Sequence, residues 1–159
     1  MPRPTKSKPD ATVQDGRNAA LRLLAQREHG AAELASKLTQ RGFSADLVDE
    51  VINELRAHDL QSDARYAEMI VRNRIAQGRG LLRIRNELEQ ARVSGAAISA
   101  ALADVEVDWQ EQIEAVYACK FTGAPGSAAD WQKRYRFLLQ RGFAGEAIRK
   151  VLGKIPRAR

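Results

Sequence analysis

Apolar and turn residues recur along this chain at a spacing of 50, and that recurrence limits the fold more than any other feature. Leu38-Thr39-Gln40-Arg41-Gly42-Phe43 aligns with Leu88-Glu89-Gln90-Ala91-Arg92-Val93 and with Leu138-Leu139-Gln140-Arg141-Gly142-Phe143. The register continues through Val48, Ile98 and Ile148, then Ile52, Leu102 and Leu152, then Leu55, Val105 and Ile155. Within each repeat the apolar residues fall three and four apart, as on one face of an α-helix, and no stretch shows the alternation of a strand. One small helical unit used three times is expected. A unit of roughly 45 residues has a thin interior, so its neighbours should stack on it in an extended, curved all-α array. Such a body presents a surface to a long or large partner.

Local signals divide the chain into a flexible basic tail at 1–16 and three-helix units at 17–61, 62–107 and 108–159, the last with a basic C-terminus. The tail holds Pro2, Pro4 and Pro9 and no periodicity. Gly42 and Gly142 are placed to close the second helix of their units in the left-handed conformation, with Phe43 and Phe143 packing back. Arg92 stands where a third glycine would, so that helix end is expected to differ. Ser44, Ser62 and Ser94 are N-cap candidates, and Ser127 with Asp130 has capping-box spacing. The last helix is expected to run through Ile155 to Pro156.

Catalytic chemistry finds no residues to carry it. His29 and His58 are the only histidines; both fall near helix ends, where a partly exposed histidine helps satisfy carbonyls. CxxC, HExxH, a phosphate-cradling glycine loop and a nucleophile elbow are all missing. The single cysteine, Cys119, reads as a small core residue, excludes an internal disulfide and fits a reducing compartment. No apolar run is long enough for a membrane span, and the N-terminus has no signal-peptide core. A cytoplasmic monomer is expected, with no enzymatic activity, cofactor or metal.

Charge points to the kind of partner. The net charge is +6, unevenly spread: residues 63–95 carry seven basic and four acidic side chains, residues 96–132 one and six, residues 133–159 nine and one. The basic positions of the middle unit are Arg65, Arg72, Arg74, Arg79, Arg83, Arg85 and Arg92, with no lysine. Arginine's planar fork suits carboxylates and phosphates. Arg65 and Arg72, seven apart, share a helix face. Arg83 and Arg85 can each pair with a glutamate four residues on, Glu87 and Glu89, whereas Arg65, Arg72, Arg74 and Arg79 have no obvious local partner. At the C-terminal end the candidates are Arg134, Arg136, Arg149 and Lys150, the last two also favoured by the dipole of a helix end. An anionic partner, DNA or an acidic protein surface, accounts for this pattern.

The run Ser62-Asp63-Ala64-Arg65-Tyr66-Ala67, Val71-Arg72-Asn73-Arg74, Gly78-Arg79-Gly80 and Arg83-Ile84-Arg85-Asn86-Glu87-Leu88 resembles the signature of the RecX recombination regulators. The resemblance covers about residues 17–155 and departs from the family at Arg92-Val93, where a glycine followed by an apolar residue is common. It implies tandem three-helix units that lodge in the groove of the RecA recombinase filament on single-stranded DNA. It further implies suppression of ATP hydrolysis, strand exchange and repressor cleavage, without catalytic residues of the chain's own. Arg65, Arg72, Arg74, Arg79, Arg83 and Arg85 occupy the motif and acquire a binding role by that inference; Tyr66, Ile84 and Leu88 hold the unit together. The alternative from the residues alone is a direct DNA-binding module of helix-turn-helix type, or weak, unselective binding to single- or double-stranded DNA through charge. A generic helical scaffold for other proteins is a third reading.

Overall fold

The computed structural model describes residues 11–158, and among them every regular element is a helix. The order is α1 (Val13–Gln26), α2 (Ala31–Gln40), α3 (Ala45–Ala57), α4 (Asp63–Ala76), α5 (Leu81–Gln90), α6 (Gly95–Asp104), α7 (Trp109–Lys120), α8 (Ala128–Arg141) and α9 (Gly145–Leu152). Packing repeats with the sequence. The first and second helix of each triplet both meet the third in units one and two, and α7 and α8 both meet α9 in unit three. Each triplet encloses its own core. Leu34, Leu38, Val51 and Leu55 centre the first, Ala67, Val71, Ile84 and Leu88 the second, and Ile113, Leu138 and Ile148 the third.

Caps set the helix boundaries. Ser44, Ser62, Ser94 and Ser127 each accept the amide three residues on. The expected capping box at Ser127 is incomplete: Asp130 accepts the amide of Gly126, one residue before the N-cap, at 3.0 Å. Helix α1 starts earlier than the tail boundary expected from sequence. Thr12 accepts the Asp15 amide at 3.2 Å while Asp15 accepts the Thr12 amide at 2.9 Å, a complete capping box. Residues 13–16 are therefore helical; the rest of the expected flexible tail, residues 1–10, lies outside the described residues. The last helix stops sooner than expected. Gly153, at φ +71, turns the chain out after Leu152, and Trp131 Nε1 holds the Gly153 carbonyl at 3.0 Å. Ile155 is consequently 49% exposed and lines no core.

Arg92 also departs from expectation, because the helix end it closes is the same as the other two. Gly42, Arg92 and Gly142 have φ of 95°, 60° and 97°. In each case the amide of the following residue, Phe43, Val93 or Phe143, reaches the carbonyl of Leu38, Leu88 or Leu138 at 3.1–3.3 Å. The apolar contact that follows and the repeated packing outweigh the steric cost of a side chain in the left-handed region. That cost is about 1 kcal/mol. Arg92→Gly is therefore expected to raise stability by roughly that amount, read as a higher urea midpoint at unchanged slope.

The seams between units explain two of the three described helix starts that have no side-chain cap, the third being α9 after Ala144. Helices α2 and α5 begin after Gly30 and Gly80, which offer no capping oxygen. Both gaps are filled from the following unit. At the first seam Asp63 accepts the Ala31 amide at 2.8 Å, and the buried Gln61 donates to His29 O at 3.1 Å and to Asp63 at 2.9 Å. At the second, the end of α8 meets the start of α5: the Gly80 amide donates to Arg141 O at 2.7 Å and the Leu82 amide to Gly142 O at 3.0 Å. The carbonyl end of one helix thus satisfies the amide end of another, with favourable dipole alignment.

Candidate partner-binding surface

Helices α4 and α5 and the turn between them carry six of the ten basic positions that sequence singles out, and the fold gives them different tasks. Arg65 is a strap between units one and two. Its Nε donates to Glu28 at 2.9 Å, its Nη1 to Asp59 at 3.0 Å and its Nη2 to the Asp59 carbonyl at 2.8 Å. Arg74 makes a fork with Glu87, at 2.8 Å and 2.7 Å, that ties α4 to α5. The hydrogen bonds to Glu28 and to Glu87 raise the pKa of these two guanidiniums above the ordinary arginine value. Both positions thus have the carboxylate partners that the sequence did not reveal. The expected Arg83–Glu87 and Arg85–Glu89 pairs are not among the ion pairs of the described residues; Glu87 is taken by Arg74. Arg83 turns instead to the α8 end and donates to Gln140 O at 2.8 Å.

Arg72 and Arg85 are exposed, Arg79 is half-buried, and none of the three makes a side-chain hydrogen bond or ion pair among those of the described residues. Arg79 lies in a repulsive field: desolvation first, then the guanidiniums of Arg83, Arg141 and Arg74, push its pKa down. Glu87 opposes this field but is forked onto Arg74, so the guanidiniums of Arg79, Arg83 and Arg141 together favour an external anion.

In unit three, Arg134 is buried, with 8% of its surface exposed. It pairs with Asp130 at 2.9 Å, donates to Tyr117 Oη at 2.6 Å and to Gly123 O at 2.8 Å, and sits 4.9 Å from the centroid of Phe121. Its position is 50 residues after Ile84 and 100 after Leu34, so it fills a core site of the repeat with a charge satisfied on all sides. A surface-binding role for Arg134 is corrected by this burial. Arg136, Arg149 and Lys150 are exposed, Arg149 lying 5.7 Å from the centroid of Tyr135.

A groove of about 730 Å³ joins these features at the second seam. Arg74, Arg79, Leu82, Arg83 and Glu87 line it from unit two and Leu139, Gln140 and Gly142 from unit three. The two leucines are 47% and 48% exposed. Sequence reasoning missed them, although the repeat carried the signal. Leu82 falls where the other units have Ala32 and Gln132, and Leu139 where they have Thr39 and Glu89.

The histidines and the cysteine divide differently. His58 is exposed at the α3 end as expected. His29 is buried at 1% exposure, with Nδ1 3.0 Å from Arg27 O and Nε2 3.1 Å from Lys37 Nζ. A neutral ring protonated on Nδ1 satisfies both neighbours, and burial pushes its pKa down. Cys119 is exposed, off the Ile113–Val116–Tyr117 stripe of α7. No group of three or more metal-ligating side chains occurs among the described residues, and no described helix is long and apolar enough to cross a membrane.

Three like triplets joined by two polar seams define a tandem helical-repeat protein. Three consecutive family matches agree: "RecX, first three-helix domain" at residues 17–55, the second at 62–102 and the third at 106–152. The chain belongs to the RecX family of regulatory proteins. It is 45% identical over 135 residues to Regulatory protein RecX of Acidithiobacillus ferrooxidans, covering 84% of this chain and 86% of that one. It is 40% identical over 144 residues to Regulatory protein RecX of Halorhodospira halophila, covering 90% and 89%. The fold matches the crystal structure of RecX from Lactobacillus salivarius with a TM-score of 0.68 at 24% identity, covering 87% of this chain and 93% of that one.

Proposed function

We propose that this chain binds the RecA recombinase filament on single-stranded DNA and lowers its ATPase, strand-exchange and coprotease activities, acting in the cytoplasm as a monomer. Family membership carries this reading. The unpaired Arg72, Arg79 and Arg85, with Arg136, Arg149 and Lys150 on unit three, form the contact set. Arg83 assists from the seam, while Arg65 and Arg74 hold the helices that present the others. The division into units at 17–61, 62–107 and 108–159 gives each triplet its own stretch of filament. Inhibition requires tighter binding to the inactive arrangement of the filament than to the active one, since a ligand with equal affinity for both shifts nothing.

Direct DNA binding is the competing reading, and co-sedimentation separates the two. The chain is expected to pellet with RecA filaments at moderate salt and to leave bare single-stranded DNA under the same conditions, as charge-driven binding to DNA alone weakens steeply with salt. Equal retention on DNA without RecA would favour the competing reading.

A further inference from the structure

Resting on the filament-regulator reading, we propose that the groove at the seam of units two and three receives an extended protein segment in which acidic and apolar side chains alternate. The groove joins two chemistries. Arg79 and Arg83 supply guanidiniums, and the one carboxylate in the lining, Glu87, is spent on Arg74. Leu82 and Leu139 supply apolar lining contributed by both units. A phosphate backbone would use the arginines and leave the leucines in water; an acidic segment with apolar residues uses both. A lone exposed leucine is ordinary, but these two share one groove at repeat positions where the other units are small or polar.

Charge argues against the chain's own ends as occupants. Residues 1–10 carry Arg3, Lys6 and Lys8 against Asp10, and the residues after Gly153 include Lys154, Arg157 and Arg159. On the filament-regulator reading the occupant is the partner's segment, its carboxylates on Arg79 and Arg83 and its apolar side chains on Leu82 and Leu139. The connector from Asp104 to Asp108, with Glu106 between, makes a second copy of this chain the strongest competitor.

The test uses the full chain and a fluorescein-labelled peptide alternating glutamate and leucine, with polyglutamate and oligo-dT as comparison probes. Binding is read by fluorescence anisotropy. The mixed peptide is expected to bind the wild type at least about tenfold more tightly than the Leu82→Ser/Leu139→Ser variant, with polyglutamate and oligo-dT indifferent to that variant. Circular dichroism checks its fold, and Leu60→Ser, another exposed leucine remote from the groove, should leave peptide binding unchanged. Equal peptide affinity in the folded double variant would overturn the proposal. So would oligo-dT binding that depends on the two leucines, or leucine-dependent self-association in sedimentation. Inhibition of the RecA ATPase by the wild type is measured alongside. Inhibition without peptide binding sinks the groove alone; peptide binding without inhibition sinks the filament reading and leaves the groove.

Discussion

Gly80→Ala is expected to open the seam between units two and three and to cost about 2–4 kcal/mol of stability. A methyl on Gly80 would lie 2.4 Å from the Gly142 carbonyl oxygen and 2.7 Å from the Phe143 nitrogen, both rigid backbone. The Gly80 backbone itself, at φ −89° and ψ 165°, is open to any residue, so the glycine is needed for the close approach and for nothing else. Pushing α8 away breaks the Gly80–Arg141 and Leu82–Gly142 bonds and leaves the start of α5 without its cap. Two lost backbone bonds at about 1 kcal/mol each, with a desolvation penalty where an amide stays unpaired, give the stated range. Urea unfolding should show a lower midpoint and a broader or split transition, with unit three separating. Gly95→Ala is the control, since a methyl there meets nothing within 4 Å. A Gly80 variant with the wild-type midpoint would mean that the units are not coupled through this seam.

Reversing Arg72 and Arg79 together, by Arg72→Glu and Arg79→Glu, is expected to weaken filament inhibition at least about tenfold while leaving helix content intact. Each position would exchange a charge-assisted contact, worth about 1.5–3 kcal/mol, for a repulsion. Folding should tolerate the change. Neither residue makes an internal bond among those of the described residues, and a glutamate at 79 would ease the crowding of Arg83, Arg141 and Arg74. Arg65→Glu behaves oppositely. It would face Glu28 and Asp59, lose three hydrogen bonds and loosen the first seam, so its effect on inhibition should be accompanied by a lower denaturation midpoint. Full inhibition by the folded Arg72/Arg79 variant would move the contact surface elsewhere.

The repeat was legible because side chains at Leu38, Leu88 and Leu138 do the same job in local structure, and three copies reinforce one another. Its local deviations were harder. Arg92 advertised a different helix end, yet Leu88 and Val93, both in the core of unit two, impose the same turn on it. Arg134 stood in a basic cluster, and charge counting placed it outside; alignment with Leu34 and Ile84 would have placed it inside. Arg65 and Arg74 appeared unpaired because Glu28 and Glu87 lie 37 and 13 residues away, brought near only by the packing of units and helices. Gly30 and Gly80 gave no sign in the sequence that they are docking points. The starts of α2 and α5, with no side-chain cap of their own, are met by another element, and both suppliers are the next unit, whereas α9 starts after Ala144 without such a partner among the described residues. Cys119 and Ile155 failed for smaller reasons, one by falling off the buried face of α7 and the other by lying beyond the Gly153 exit.

The account stands most directly on the RecA ATPase, measured on single-stranded DNA as this chain is titrated in. Hydrolysis should fall progressively and approach a floor as the filament becomes occupied, with the Arg72/Arg79 variant displaced to higher concentration. Hydrolysis unchanged at several-fold molar excess of the folded wild-type chain would contradict it.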